Sequence, residues 1–187
     1  MRTAIQRFLQ THDKYGRYVI CEVGVKEGYH SEEIAREMPN AVVFAVDPYQ
    51  PYFTETEIET CSGRQDENMR LMLDAVVRNM GRIIPVRMKS HEASSVFKDG
   101  FFDLVYIDAD HSESEVIRDL NAWIPKVKDG GMICGHDWDR VSEFVQKVLL
   151  EDGHDDYSTC ADWWMVKNGH ERLRIGESAQ VKPLCHV

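Results

Sequence analysis

Five short apolar runs, each ending in a polar exit, constrain this chain more than any other feature. They are YVICEV (18–23), AVVFAV (41–46), RIIPV (82–86), FDLVYI (102–107) and GGMICG (130–135). Their apolar residues do not alternate with polar ones, so both faces of each strand need cover. That pattern belongs to a parallel sheet between two helix layers. The intervening segments supply the helices. Ser31–Met38 carries Glu32 and Glu33 in a first turn, where carboxylates suit a helix N-terminus. Met69, Met72, Leu73, Val76, Val77 and Met80 follow helical spacing, as do Val116, Leu120, Trp123, Ile124 and Val127, and then Val141, Phe144, Val145, Val148 and Leu149. Ala4, Ile5, Phe8 and Leu9 predict a short amphipathic first helix.

Pro85 places the third strand at an edge. Val105 and Ile107 are expected to be buried on opposite faces of a central strand. DYSTCADWWMVKN (156–168) reads as one or two closing strands, with Trp163 and Trp164 on alternate faces. Residues 48–63 read as loop. The chain has 187 residues, which fits one domain over 1–170 and a C-terminal tail over 171–187.

The net charge of −10 argues against a nucleic-acid backbone or an anionic membrane surface as the main partner. No apolar run reaches the length of a membrane span. The five cysteines lie far apart and form no CxxC pair, which favours free thiols and a cytoplasmic setting.

Ligands of such sheets bind beyond the carboxyl ends of the strands. Glu22 to Gly28, Asp47, Asp108 to His111 and His136 to Asp137 all fall there. Each cluster has a plainer reading, because Asp and Ser after a strand often cap the next helix. Asp110 and Ser112 fit that role for the helix of Val116, and Asp137 for the helix that follows it. EVGVKEGYHS (22–31) spaces its glycines as G-x-x-x-G, with Lys26 where a dinucleotide fingerprint needs glycine. A pyrophosphate therefore does not fit the turn, and neither does a P-loop. With Asp47 able to accept two ribose hydroxyls, the pair reads as a nucleoside site without a pyrophosphate.

The order EVGVKEGYHS, AVDPY, MKSHEAS, FFDLVYIDADHS, DLNAWIPKVKDGG, GHDW and DWWMVKN resembles class I S-adenosylmethionine-dependent methyltransferases. It looks most like the small bacterial branch that includes sugar and macrolide O-methyltransferases. The resemblance implies a single-domain Rossmann-like α/β fold. Its seven-stranded, mostly parallel sheet would run in the order 3-2-1-4-5-7-6, with helices on both faces. It also implies cofactor contacts by Glu22, Gly24, Gly28, Asp47, Pro48, Tyr49, Ser90, His91 and Asp108. The methyl acceptor would be an oxygen of a small molecule, sugar or glycan. Enzymes of this likeness place ligands for Mg²⁺ or Mn²⁺ at positions matching Asp108, His136 and Asp137. The histidine departs from the usual acid and suits Mg²⁺ less than softer ions.

His111, on the same rim, is the candidate general base beside Asp108. Trp138 is expected to line the acceptor pocket or to anchor a lid. Acceptor recognition is expected from 1–17, 48–66 and 138–140. Homo-oligomerisation stays open. Two rivals remain. One is a metal-dependent hydrolase built on Asp108, Asp110, His111, His136 and Asp137. The other is a nucleoside-binding protein without catalysis. The missing GxGxxG argues against an NAD-linked dehydrogenase.

Overall fold

A computed structural model describes residues 2–50, 64–149, 152–155 and 161–167. Cys61, Cys160, Cys185, most of the expected 48–63 loop and the 171–187 tail lie outside them. Seven strands form one sheet in the order β3-β2-β1-β4-β5-β7-β6. They are β1 (Val19–Val23), β2 (Val42–Val46), β3 (Ile83–Val86), β4 (Phe102–Ile107), β5 (Val127–Gly135), β6 (Gly153–His154) and β7 (Trp163–Val166). β7 runs antiparallel to both β5 and β6, while the pairings from β3 through β5 are all parallel.

Helices α1 (Thr3–Thr11), α2 (Tyr29–Glu37), α3 (Gln65–Arg78), α4 (Ser90–Ser95), α5 (Glu113–Trp123) and α6 (Trp138–Val148) accompany it. Two apolar clusters lie against the sheet. One joins Val105, Ile107, Leu120, Trp123, Val141 and Trp163, and the other joins Phe8, Ile20, Ile34, Met72, Leu104 and Tyr106. Two such layers are what strands apolar on both faces require. No helix among the described residues is long and apolar enough to cross a membrane.

Four details differ from the sequence reading. Val105 and Ile107 share one face and one cluster, because residues two apart in a strand point the same way. Helix α4 (Ser90–Ser95) follows β3 where the sequence shows no helical spacing, since SHEASS has no apolar period. Val127, assigned to the helix before it, opens β5, after a 3-10 turn at Ile124–Lys126. Trp138 is fully buried and stacks on His154 with ring centroids 4.5 Å apart, so it belongs to the core and is no lid anchor. Pro85 does sit on an edge strand, and Trp163 and Trp164 do divide between the two clusters.

Candidate active site

The polar exits are brought to one rim by main-chain bonds between neighbouring strands. Gly24 N–H donates to Val46 O at 2.9 Å, Asp47 N–H to Val86 O at 3.2 Å, Asp108 N–H to Val23 O at 2.8 Å and His136 N–H to Ile107 O at 3.1 Å. Each exit residue is thus tied to the last residue of the strand beside it. The glycine turn fits this crowding. Gly24 has φ +86°, and a Cβ there would lie 2.0 Å from Asp108 O, so no side chain fits.

Asp47 stands at the end of β2. Its Oδ2 accepts from Lys26 N–H at 3.0 Å and its Oδ1 from Tyr49 N–H at 2.8 Å. Burial raises its pKa, and those backbone donors pull the other way. A carboxylate has acceptor capacity beyond one bond per oxygen, so the residue can still take a ribose diol. Pro48 is half-buried beside it, and Tyr49 is buried. Glu22 is buried below the turn, where it accepts from His30 Nδ1 at 3.1 Å and from the Ser31 hydroxyl.

Ser90 opens α4. Its hydroxyl donates to Asp119 and accepts from Trp123 Nε1 at 2.8 Å, so a ligand at this loop would meet main chain or His91, which is exposed. Burial pushes the Asp119 carboxyl up to about 7.

At the exits of β4 and β5, His111 Nε2 lies 3.0 Å from Asp137 Oδ2 and 4.0 Å from Asp108 Oδ1. The two carboxylates raise the imidazole pKa to about 10, against the opposing pull of burial. The same contact lowers the pKa of Asp137. Asp137 occupies the N-cap position of α6 with φ +54°, yet its side chain makes no capping bond and is spent on His111. Ser112 is the N-cap of α5 but makes no side-chain capping bond, and Asp110 accepts from Ser112 N–H at 2.7 Å in the turn before the helix, so the capping expected of these two residues is not made.

The residues expected to hold a metal are only partly gathered. Ligand atoms of Asp108, His111 and Asp137 lie within 4.8 Å of one another. His136 does not join them, because its Nδ1 is 2.9 Å from Asp162 Oδ1. The cause is the β5–β7 register, which pairs Gly135 with Trp163 and so sets His136 beside Asp162. A metal ligand must offer a lone pair, whereas His111 Nε2 faces two carboxylates and carries a proton near neutrality. Arg2 also holds Asp108 Oδ2 at 3.0 Å. As arranged, the three ligand atoms share a proton, and a divalent ion would bind there only by displacing it. The five-residue hydrolase rim is likewise divided between a helix start, Asp162 and the His111 group.

Three further residues complete the rim and were not singled out by sequence. Arg2 reaches Tyr106 OH at 3.0 Å as well as Asp108. Tyr106 OH donates to Asp162 Oδ1 at 2.7 Å, and Ala4 N–H, at the start of α1, donates to Asp162 Oδ2 at 2.9 Å. Nothing local in the sequence marks Arg2. The acid directly before a closing strand was the one available signal for Asp162.

A seven-stranded sheet of this order, with Gly24, Asp47 and Asp108 on its central rim, is the architecture of class I S-adenosylmethionine-dependent methyltransferases. Residues 21–138 match a family model described as a methyltransferase domain, and the chain belongs to that family. Similar folds are found in solved structures. Fibrillarin from Aeropyrum pernix, with natively bound S-adenosyl-L-methionine, superposes with TM-score 0.60 at 13% identity, over 87% of this chain and 72% of that one. The 1,6-didemethyltoxoflavin-N1-methyltransferase of Burkholderia thailandensis gives 0.62 at 10%, over 88% and 76%. Precorrin-6y C5,15-methyltransferase from Geobacter metallireducens gives 0.56 at 15%, over 83% and 84%. At such identities the likeness is one of fold. No curated protein matches the sequence.

Proposed function

We propose that the protein transfers a methyl group from S-adenosylmethionine to an oxygen of a small molecule or sugar, with His111 handling the acceptor's proton. The observation that carries this reading is His111 Nε2 beside Asp137 and Asp108, at the exits of the two central strands next to the glycine turn. Asp47 would hold the ribose, Pro48 and Tyr49 the adenine edge, and the Gly24–Gly28 turn the methionine end. Bound there, the cofactor supplies a methyl group on a sulfonium, which leaves as a neutral thioether.

A hydroxyl acceptor must lose its proton as the methyl arrives. An imidazole with a pKa of about 10 is a strong base, but only about one molecule in a thousand is neutral at pH 7. An acceptor hydroxyl that enters between His111 and Asp137 weakens the contact that holds the proton on. It also orients its oxygen toward the rim. The net charge of −10 supports a small acceptor over a nucleic acid.

The test is methyl transfer from labelled S-adenosylmethionine across catechols, other hydroxylated small molecules and sugars. Label should appear on oxygen, and kcat/KM should rise with pH toward a limb near 10. His111→Gln should remove turnover while leaving cofactor binding within about twofold, and a chelator should change neither. Label found only on nitrogen or on RNA would overturn the acceptor class. A chelator that stops transfer would restore the metal reading.

A further inference from the structure

The amino-acid end of the methyl donor is a zwitterion, and the charged side chains of the glycine turn, Lys26 and Glu27, face each other at 4.0 Å with Lys26 exposed. Two groups beside that turn have the right chemistry. Glu22 and Tyr106 are lateral partners on β1 and β4, one position below the rim. His30 lies across both, with its ring centroid 4.5 Å from that of Tyr106 and its Nδ1 3.1 Å from Glu22 Oε1. In the neutral ring, the tautomer that donates from Nδ1 to Glu22 leaves a lone pair on Nε2. That Nε2 is buried and has no hydrogen-bond partner among the described residues. A buried polar atom without a partner is unfavourable, and a ligand ammonium would satisfy it.

Arg2 approaches the same tyrosine from the N-terminal side. Its guanidinium carbon is 5.4 Å from the Tyr106 ring centroid, and its nitrogens reach Tyr106 OH and Asp108 Oδ2. A guanidinium has more donors than those two bonds use, and its planar fork matches a carboxylate. Arg2 lies outside the stretch 21–138 that the family model covers. Its place on the rim comes from α1, whose first turn is held by Asp162.

We infer that Arg2 and His30 together read the amino-acid end of the cofactor, Arg2 its α-carboxylate and His30 Nε2 its α-ammonium. The inference rests on the methyl-donor reading above. It makes the N-terminal segment part of the cofactor site, although that segment was expected to serve the acceptor.

The experiment compares two ligands by calorimetry on the full chain. S-adenosylhomocysteine carries the amino-acid end, and 5′-methylthioadenosine has the same nucleoside without it. Wild type should prefer S-adenosylhomocysteine. Arg2→Gln should weaken S-adenosylhomocysteine at least tenfold and change 5′-methylthioadenosine less than twofold, with Arg2→Lys recovering part of the loss. His30→Gln should show the same split. Arg2 is partly exposed at the edge of the fold, so its variants should keep a melting temperature within a few degrees of wild type. Equal losses on both ligands would reduce Arg2 and His30 to structural roles and overturn the inference. So would no loss on either, or a wild type that binds both ligands equally. Binding of neither ligand by wild type would overturn the methyl-donor reading itself and this inference with it.

Discussion

Replacing Asp162 with alanine tests whether the rim is held together by the acid that sequence reasoning passed over. Its side chain is 3% exposed and accepts from Ala4 N–H, Tyr106 OH and His136 Nδ1, at 2.9, 2.7 and 2.9 Å. Burial opposes its ionisation, but those donors outweigh burial and keep its pKa below the ordinary range. In Asp162→Ala the Ala4 amide and the Tyr106 O–H both lose their acceptor, although Arg2 still donates to the tyrosine oxygen, and each buried donor costs about 1–3 kcal/mol. His136 is partly exposed and recovers water, so it adds less. The sum is about 2–6 kcal/mol, centred on the range of about 3–5 kcal/mol lost when a buried charged network is broken.

For a chain of this size that central range lowers Tm by about 6–20 °C. Urea titration followed by tryptophan fluorescence gives the free energy. Hydrogen exchange should show the first amides of α1 opening before the sheet does. The sign with pH also follows. A depressed folded-state pKa stabilises above the ordinary Asp value of about 3.9 and loses that stabilisation as pH falls through the lowered one. Wild type and variant should therefore converge in acid. A loss below about 1 kcal/mol, or protection of α1 left unchanged, would refute the claim that Asp162 fastens α1 and His136 to the rim.

Three further outcomes are expected. Gly24→Ala should lower stability by more than about 2 kcal/mol and weaken S-adenosylhomocysteine binding. Its backbone is left-handed and its Cβ would collide with Asp108 O, and a variant with unchanged midpoint and affinity would contradict that geometry. Asp47→Ala removes a charged acceptor worth about 1.5–3 kcal/mol, so calorimetry should show at least a tenfold weaker affinity for S-adenosylhomocysteine. His111 has a folded pKa raised to about 10. Its stabilisation is complete below the unfolded value of about 6.5 and is lost as pH climbs through 10, so the urea midpoint should fall between pH 7 and 10.5 in wild type and change less in His111→Gln.

The strands were legible because their chemistry is local. β4 is found at 102–107, as FDLVYI indicated, and β1 and β2 start within one residue of expectation. An apolar run needs cover on both faces whatever its neighbours are, and the polar residue after it must lie where the strand leaves the core. The exits Gly24, Asp47, Asp108 and Asp137 could thus be assigned to one rim from sequence alone, whereas Glu22 lies inside β1, one position below it. Gly24 and Gly28 could be assigned to a turn, and both do have positive φ. Helix α4 and the start of β5 were not legible, since a polar six-residue helix and a strand opening through Lys128, Asp129 and two glycines carry no period.

Only the tertiary structure decided which side chains face one another. His136 and His111 stand at similar exits, and nothing in their sequence neighbourhoods ranks one above the other as partner of Asp137. The antiparallel β5–β7 register sets His136 against Asp162, and the left-handed backbone at Asp137 accompanies a carboxylate turned to His111 and not to its own helix. Arg2 meets Asp108 across more than a hundred residues because Asp162 anchors the first turn of α1 at the Ala4 amide. Periodicity and exit residues follow from short-range burial and backbone chemistry, so the sequence determines them by itself. Pairings among charged side chains depend on strand register and helix docking, which exist only once the whole sheet has formed.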